Sequence, residues 1–368
     1  MIMKPALPLI FAFGVLGASV AQAQAPAVPN VDFTNNSNPQ GAAGGQALTK
    51  KIQEKKPKST PPSLPTPTLA NVPYGTDPKQ VMDFYKAASD KPTPLLFYIH
   101  GGGWTAGSKV DPNGMKECGL KELLAAGISV VSVEYRFIQQ AILAGQQPPV
   151  EWPLHDAARA LQFVRSKAGE WNIDKQRIAA SGGSAGAFSS LWLDFHPDMA
   201  DAKSSDPIAR ESTRLTCAAV YIAQTSLDPK LLIEWTPNSR YGGHAFGLMD
   251  PNNVKSRDTR FAEFLEKRET FLPWFKEYSP IELVTADDPP VFLSYRTAPA
   301  IGQNQADPTH TSNYGVKLQE KCKAIGVDCE LVYPGAVDVM HKTIAEYLIQ
   351  KLKPIPSKYL IKTFEPAH

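Results

Sequence analysis

The amino-acid sequence predicts an α/β fold: a mostly parallel sheet flanked by helices, with a helical cap insertion before its last strands. Three observations carry this expectation. Short apolar runs recur along the chain with helical segments between most of them, the alternation of a parallel sheet with helical crossovers. Two glycine-rich motifs, His100-Gly101-Gly102-Gly103-Trp104 and Gly182-Gly183-Ser184-Ala185-Gly186, each follow one of those runs directly. At 368 residues, 43% hydrophobic and 20% charged, the chain can bury a full core in one large domain.

The first 23 residues read as a signal peptide. Lys4 is a short positive region, residues 6–20 are apolar, and Ala21-Gln22-Ala23 is a small-residue cleavage site. The apolar stretch is too short for a comfortable span, so no stable membrane span is expected after cleavage and the mature protein is expected to be periplasmic or secreted. Residues 24–71 are rich in Pro, Gly, Ala, Asn, Ser and Lys without apolar periodicity, and read as a disordered linker. Its basic run, Lys50, Lys51, Lys55, Lys56 and Lys58, reads as a solvated tether.

The domain is expected over 72–368. A hairpin over 72–85 supplies an antiparallel edge, and strand-like runs follow at 95–100, 128–134, 177–181, 217–222, 290–295 and 329–333. Between 224 and 286 no strand is apparent. Leu231, Leu232, Trp235, Phe246, Phe261, Phe264, Phe271, Leu272, Trp274 and Phe275 there predict helices that cover the site and shape a substrate pocket.

The motifs fall at the carboxyl ends of predicted strands, where open α/β sheets place their chemistry. G-x-S-x-G puts Ser184 on a strained strand-to-helix turn whose flanks tolerate almost no side chain. The first motif is a loop whose backbone N–H groups can stabilise the charge that a carbonyl oxygen acquires during acyl transfer.

Together with Tyr135-Arg136, Trp152-Pro153-Leu154-His155-Asp156 and Asp288-Pro289-Pro290, these motifs resemble the α/β-hydrolase fold. The resemblance is strongest to the hormone-sensitive-lipase-like branch of esterases and lipases, with the related bacterial feruloyl and acetyl-xylan esterases. It covers residues 72–352 and is specific in its front half. It implies an oxyanion hole from the N–H groups of Gly102, Gly103 and Ala185, with His100 and Trp104 as supports.

Serine needs an imidazole as general base, itself oriented by a carboxylate, and the chain order in this fold is Ser, then Asp or Glu, then His. His341, after the last predicted strand and before a terminal helix over 342–352, stands at the topological place of the base. His310, one loop earlier, is second. His155, His196 and His244 read as structural. The resemblance places the acid in a G-x-x-D pattern just beyond the strand at 291–295, but Arg296-Thr297-Ala298-Pro299 puts a proline there. Asp307, still in the same loop, is chosen as the acid, with Asp338 second.

A net charge of +2 without a basic face argues against nucleic acid as a partner. No metal-ligand cluster, phosphate loop or dinucleotide fingerprint appears, so no cofactor or metal is implied. Of four cysteines, Cys118 and Cys217 read as small buried residues, while Cys322 and Cys329 are read either as a local disulfide or as two thiols. The sequence thus predicts an exported serine esterase acting on small-molecule or polysaccharide-linked esters of short or aromatic acids. A non-catalytic binding protein on a hydrolase scaffold is the rival, on the strength of Pro299. Nothing in the sequence sets the oligomeric state.

Overall fold

The computed structural model describes residues 63–353, so the leader and most of the linker lie outside the described residues. Eight strands form one sheet: β1 (Leu69–Pro73), β2 (Val81–Tyr85), β3 (Thr93–Ile99), β4 (Ser129–Val133), β5 (Ile173–Gly182), β6 (Cys217–Tyr221), β7 (Val291–Ser294) and β8 (Cys329–Val332). Their order is β1-β2-β4-β3-β5-β6-β7-β8. β2 is antiparallel to both β1 and β4, and every other neighbouring pair is parallel.

The helices are α1 (Pro112–Glu117), α2 (Leu120–Ala125), α3 (Ile138–Leu143), α4 (Glu151–Ser166), α5 (Ala168–Trp171), α6 (Ala185–Phe195), α7 (Pro229–Trp235), α8 (Phe261–Glu266), α9 (Arg268–Tyr278), α10 (Pro280–Leu283), α11 (Asn313–Ile325) and α12 (Ile344–Leu352). β3 shows why both faces are covered. All seven of its residues are buried; Leu95, Phe97 and Ile99 enter the core shared with α4 and α6, and Leu96 and Tyr98 enter the one shared with α2 and α12. Such alternation with no polar side leaves neither face for water.

β1 begins inside the stretch read as linker. Its residues are mostly exposed, with Val72 alone packing on the core; an edge strand that buries so little needs no apolar alternation, and so it has no hydrophobic signature. Val72 and Pro73 pair with Met82 and Val81. Between β6 and β7 lie α7 to α10 and two single turns of 3-10 helix, Gly243–Phe246 and Val254–Ser256. The phenylalanines of this segment pack on one another, Phe246 on Phe271 at 5.7 Å and on Phe275 at 5.5 Å, and extend the core that β3 shares with α4 and α6. Burying a ring such as Phe264 stabilises the segment by about 2–3 kcal/mol. Among the described residues no helix is long and apolar enough to cross a membrane.

Candidate active site

The site begins with a register. Ile99 of β3 lies beside Gly182 of β5, so the loop opening at His100 and the turn opening at Gly183 leave the sheet side by side. Ser184, the N-cap of α6, has φ 54° and ψ −124°, a conformation that a side-chain-bearing residue holds only where its surroundings force it. A Cβ on Gly182 or Gly186 would collide with the carbonyl oxygen of Ile99. The chain therefore turns this tightly only with glycine on either side, and the turn lifts the serine hydroxyl out of the sheet.

Ser184 Oγ lies 2.9 Å from His310 Nε2, and His310 Nδ1 lies 2.8 Å from Asp307 Oδ2. His310 and Asp307 come from one turn. His310 N–H donates to Asp307 C=O at 3.3 Å, with Pro308 at the second position, where its fixed φ favours a β-turn. The turn is pinned from the cap side, Gln224 donating to Thr309 C=O at 2.6 Å. The His310 side chain is 28% exposed and that of Asp307 60%.

His341 does not reach the serine, contrary to the sequence expectation. Its Nδ1 faces the Glu330 carboxylate at 2.9 Å, its Nε2 faces Gln350, and its ring stands edge-on to Tyr347. The physical reason is strand order. β8 is the sheet edge, three places from β5, whereas the loop after β7 starts one strand nearer and is long enough to fold back. Asp338 is exposed in the loop after β8, and Asp307 is the carboxylate next to an imidazole that faces Ser184. The available signal was Asp307-Pro308-Thr309-His310, a turn that keeps the order Ser, Asp, His.

Next to the nucleophile, the glycine loop is held open. Gly102 has φ +112° and Gly103 +62°, values that favour glycine. Thr105 and Ala106 N–H donate to Gly102 C=O at 3.1 and 3.2 Å. Tyr135 Oη donates to His100 C=O at 2.9 Å and its ring stacks on the His100 ring at 4.3 Å. Trp104 ties the loop to α6, its indole N–H donating to Ser189 Oγ at 3.0 Å. Farther along, Lys109 pairs with buried Asp83 at 2.7 Å. Burial alone would raise the Glu134 pKa, but His100 beside it at 3.4 Å, with Lys79 and the Lys109 N–H, brings it down to about 2. Glu134 is thus a fixed anion behind the loop. Among the described residues nothing accepts a hydrogen bond from the N–H groups of Gly102, Gly103 or Ala185.

From the cap, Arg257 and His244 close the Gly103 side: a Cβ there would lie 3.1 Å from Arg257 Nη1. His244 is fully buried; burial, then Arg257, hold its pKa well below the usual imidazole value, so it is neutral. On the other side, a cavity of about 420 Å3 is lined by Gly101, Gly102, Ser184, Tyr221 and Ile222 among others. His155 packs against Trp192, as does His196. All four cysteines are free thiols. Among the described residues no group of three or more His, Cys, Asp or Glu side chains is placed to hold a metal ion.

A doubly covered sheet with a serine on the turn after its central strand defines an α/β-hydrolase. The BD-FAE family model matches residues 82–307, more than half of the chain, and the chain belongs to that family. It is 27% identical to Esterase LipC of Mycobacterium tuberculosis over 230 residues, 60% of this chain and 48% of that protein. It is 31% identical to Gut esterase 1 of Caenorhabditis elegans over 142 residues, 38% of this chain and 25% of that one. The match thus spans half or less of these relatives' length. Among solved structures, a truncated carbohydrate esterase from gut microbiota superposes with a TM-score of 0.56 at 18% identity, covering 79% of this chain and 99% of that one. Thermogutta terrifontis esterase 2 phosphonylated by sarin gives 0.54 at 21% identity, covering 79% and 94%. At such identity these structures establish the fold.

Proposed function

We propose that this protein hydrolyses carboxylic esters through a covalent acyl-enzyme. The observation that carries the reading is the 2.9 Å contact between Ser184 Oγ and His310 Nε2 with Asp307 behind it; relatives named esterase support it. Ser184 Oγ attacks the ester carbonyl carbon while His310 Nε2 takes its proton, and the carbonyl oxygen, now an anion, is met by the N–H groups of Gly102, Gly103 and Ala185. His310 returns the proton to the alcohol oxygen as the C–O bond breaks. Water, deprotonated by His310, then releases the acid and restores Ser184. Asp307 holds the imidazole and stabilises the imidazolium.

The substrates in this reading are esters of short or aromatic acids, on small alcohols or on polysaccharide, met in the periplasm or outside the cell. The rival reading, a non-catalytic binding protein, rested on the proline at 299, and a carboxylate eight residues further on in the same loop already engages His310. The test is a fluorophosphonate probe followed by peptide mapping. Modification of Ser184, lost in Ser184→Ala together with at least about a thousandfold of p-nitrophenyl acetate turnover, is expected; an unlabelled or undiminished protein refutes the proposal.

A further inference from the structure

A second chamber of about 740 Å3 opens beside the nucleophile. Asp111 and Tyr221 line both this chamber and the cavity holding Ser184, so the two adjoin across these side chains. Tyr221 also anchors the nucleophile, its carbonyl accepting from Ser184 N–H at 3.3 Å. The chamber walls carry Lys116, Arg296 and Lys342 against Asp111 and Glu117.

The two carboxylates are already engaged. Asp111 accepts from Tyr98 Oη at 2.7 Å and from Gly114 N–H at 3.0 Å, capping α1. Glu117 sits 3.6 Å from Arg296, an ion pair too long to be a hydrogen bond. Among the described residues no carboxylate pairs with the ammonium group of Lys116 or of Lys342, and the Arg296 side chain is 67% exposed. The chamber therefore presents three cations whose donors are largely unspent, and a guanidinium fork matches the oxygens of a carboxylate or sulfate.

Resting on the ester-hydrolase reading above, we propose that this chamber binds the alcohol half of the ester and that this alcohol carries an oxyanion, a carboxylate or a sulfate, held by Lys116, Arg296 and Lys342. The alcohol is the half that must leave after the first step. A site of exposed cations suits it, because exposed ion pairs attract a charged group yet hold it weakly enough to release it.

The experiment compares methyl glycosides acetylated at the same hydroxyl and differing only at carbon 6, as a free hydroxymethyl, a carboxylate or a sulfate ester. At low salt the kcat/KM for the anionic sugars should exceed that for the neutral one by about tenfold. The ratio should fall toward one in about 0.5 M salt, and in the triple variant Lys116→Gln, Arg296→Gln, Lys342→Gln, while the fluorophosphonate still labels Ser184 in that variant. An advantage confined to one anion still supports the proposal and identifies the group read. Equal rates for all sugars, an advantage that persists in the triple variant, or cleavage of the aryl ester alone each overturn it. A protein inert toward every ester, with Ser184 unreactive to the fluorophosphonate, would instead remove the hydrolase reading beneath it.

Discussion

His310 and His341 make the contrast on which the chemistry turns. Each has a carboxylate on Nδ1, but only His310 presents Nε2 to the serine. His310→Ala should therefore lower kcat on an aryl acetate by at least about a thousandfold. His341→Ala should leave kcat within about twofold and lower stability by about 1–2 kcal/mol, since it strips partners from Glu330 and Gln350. Steady-state rates and chemical denaturation of the two variants check this, and a collapse of kcat in His341→Ala would return the base to the place the sequence suggested. Asp307 is more exposed than an acid sealed in a core, so solvent screens its hold on the imidazolium. Asp307→Asn should depress kcat by about a hundredfold with KM little changed, and Asp338→Asn should be silent; a silent Asp307→Asn would mean a Ser–His dyad.

At the scale of an element, α6 carries both the nucleophile and an unusual burden. Asp194 is buried with neither carboxylate oxygen hydrogen-bonded to a described residue. Burial, with Asp288 adding, pushes its pKa well above the ordinary carboxylate value. The folded state then keeps a proton that the unfolded chain gives up near pH ~4. The stability tied to that proton is fully present below the unfolded pKa and is lost as pH rises toward the folded one. Asp194→Asn, neutral throughout, should flatten the fall in stability from weakly acidic to mildly alkaline pH and raise Tm at the alkaline end by a few degrees. Thermal melts across that range decide the matter: an unaltered slope would show that Asp194 is ionised in the fold.

Across the whole molecule, the sheet and the cap share the work of assembling the site. β3 and β5 set the loop beside the nucleophile through their register, and the cap braces the triad turn through Gln224 and the loop leading to it through Asn238, which exchanges hydrogen bonds with Gln305 at 2.8 and 3.0 Å. Asn238→Ala should thus lower kcat about tenfold without unfolding the sheet, as expected when a remote support misplaces a reacting group; unchanged kcat would show that the turn stands alone. Export belongs to this scale as well. Intact-mass analysis of protein from its native host should find an N-terminus close to Gln24, and full-length protein in the cytoplasm would exclude the leader.

What the sequence determined by itself was what local chemistry encodes. Fully apolar strands, the glycines of the loop and elbow, and the serine between them are dictated over a few residues by period, sterics and backbone conformation, so the class of fold, the place of Ser184 on the elbow and the loop that carries Asp307 were legible. The hairpin of β1 and β2 was legible over 72–85, but the start of β1 at Leu69 was not, because an exposed edge strand carries no burial pattern. Nor was the base. His341 holds the right place in the chain but follows the edge strand β8, while His310 reaches Ser184 because the loop after β7 folds back under the cap. That choice depends on strand order and loop path, contacts between residues more than a hundred positions apart, and only the tertiary structure could make it.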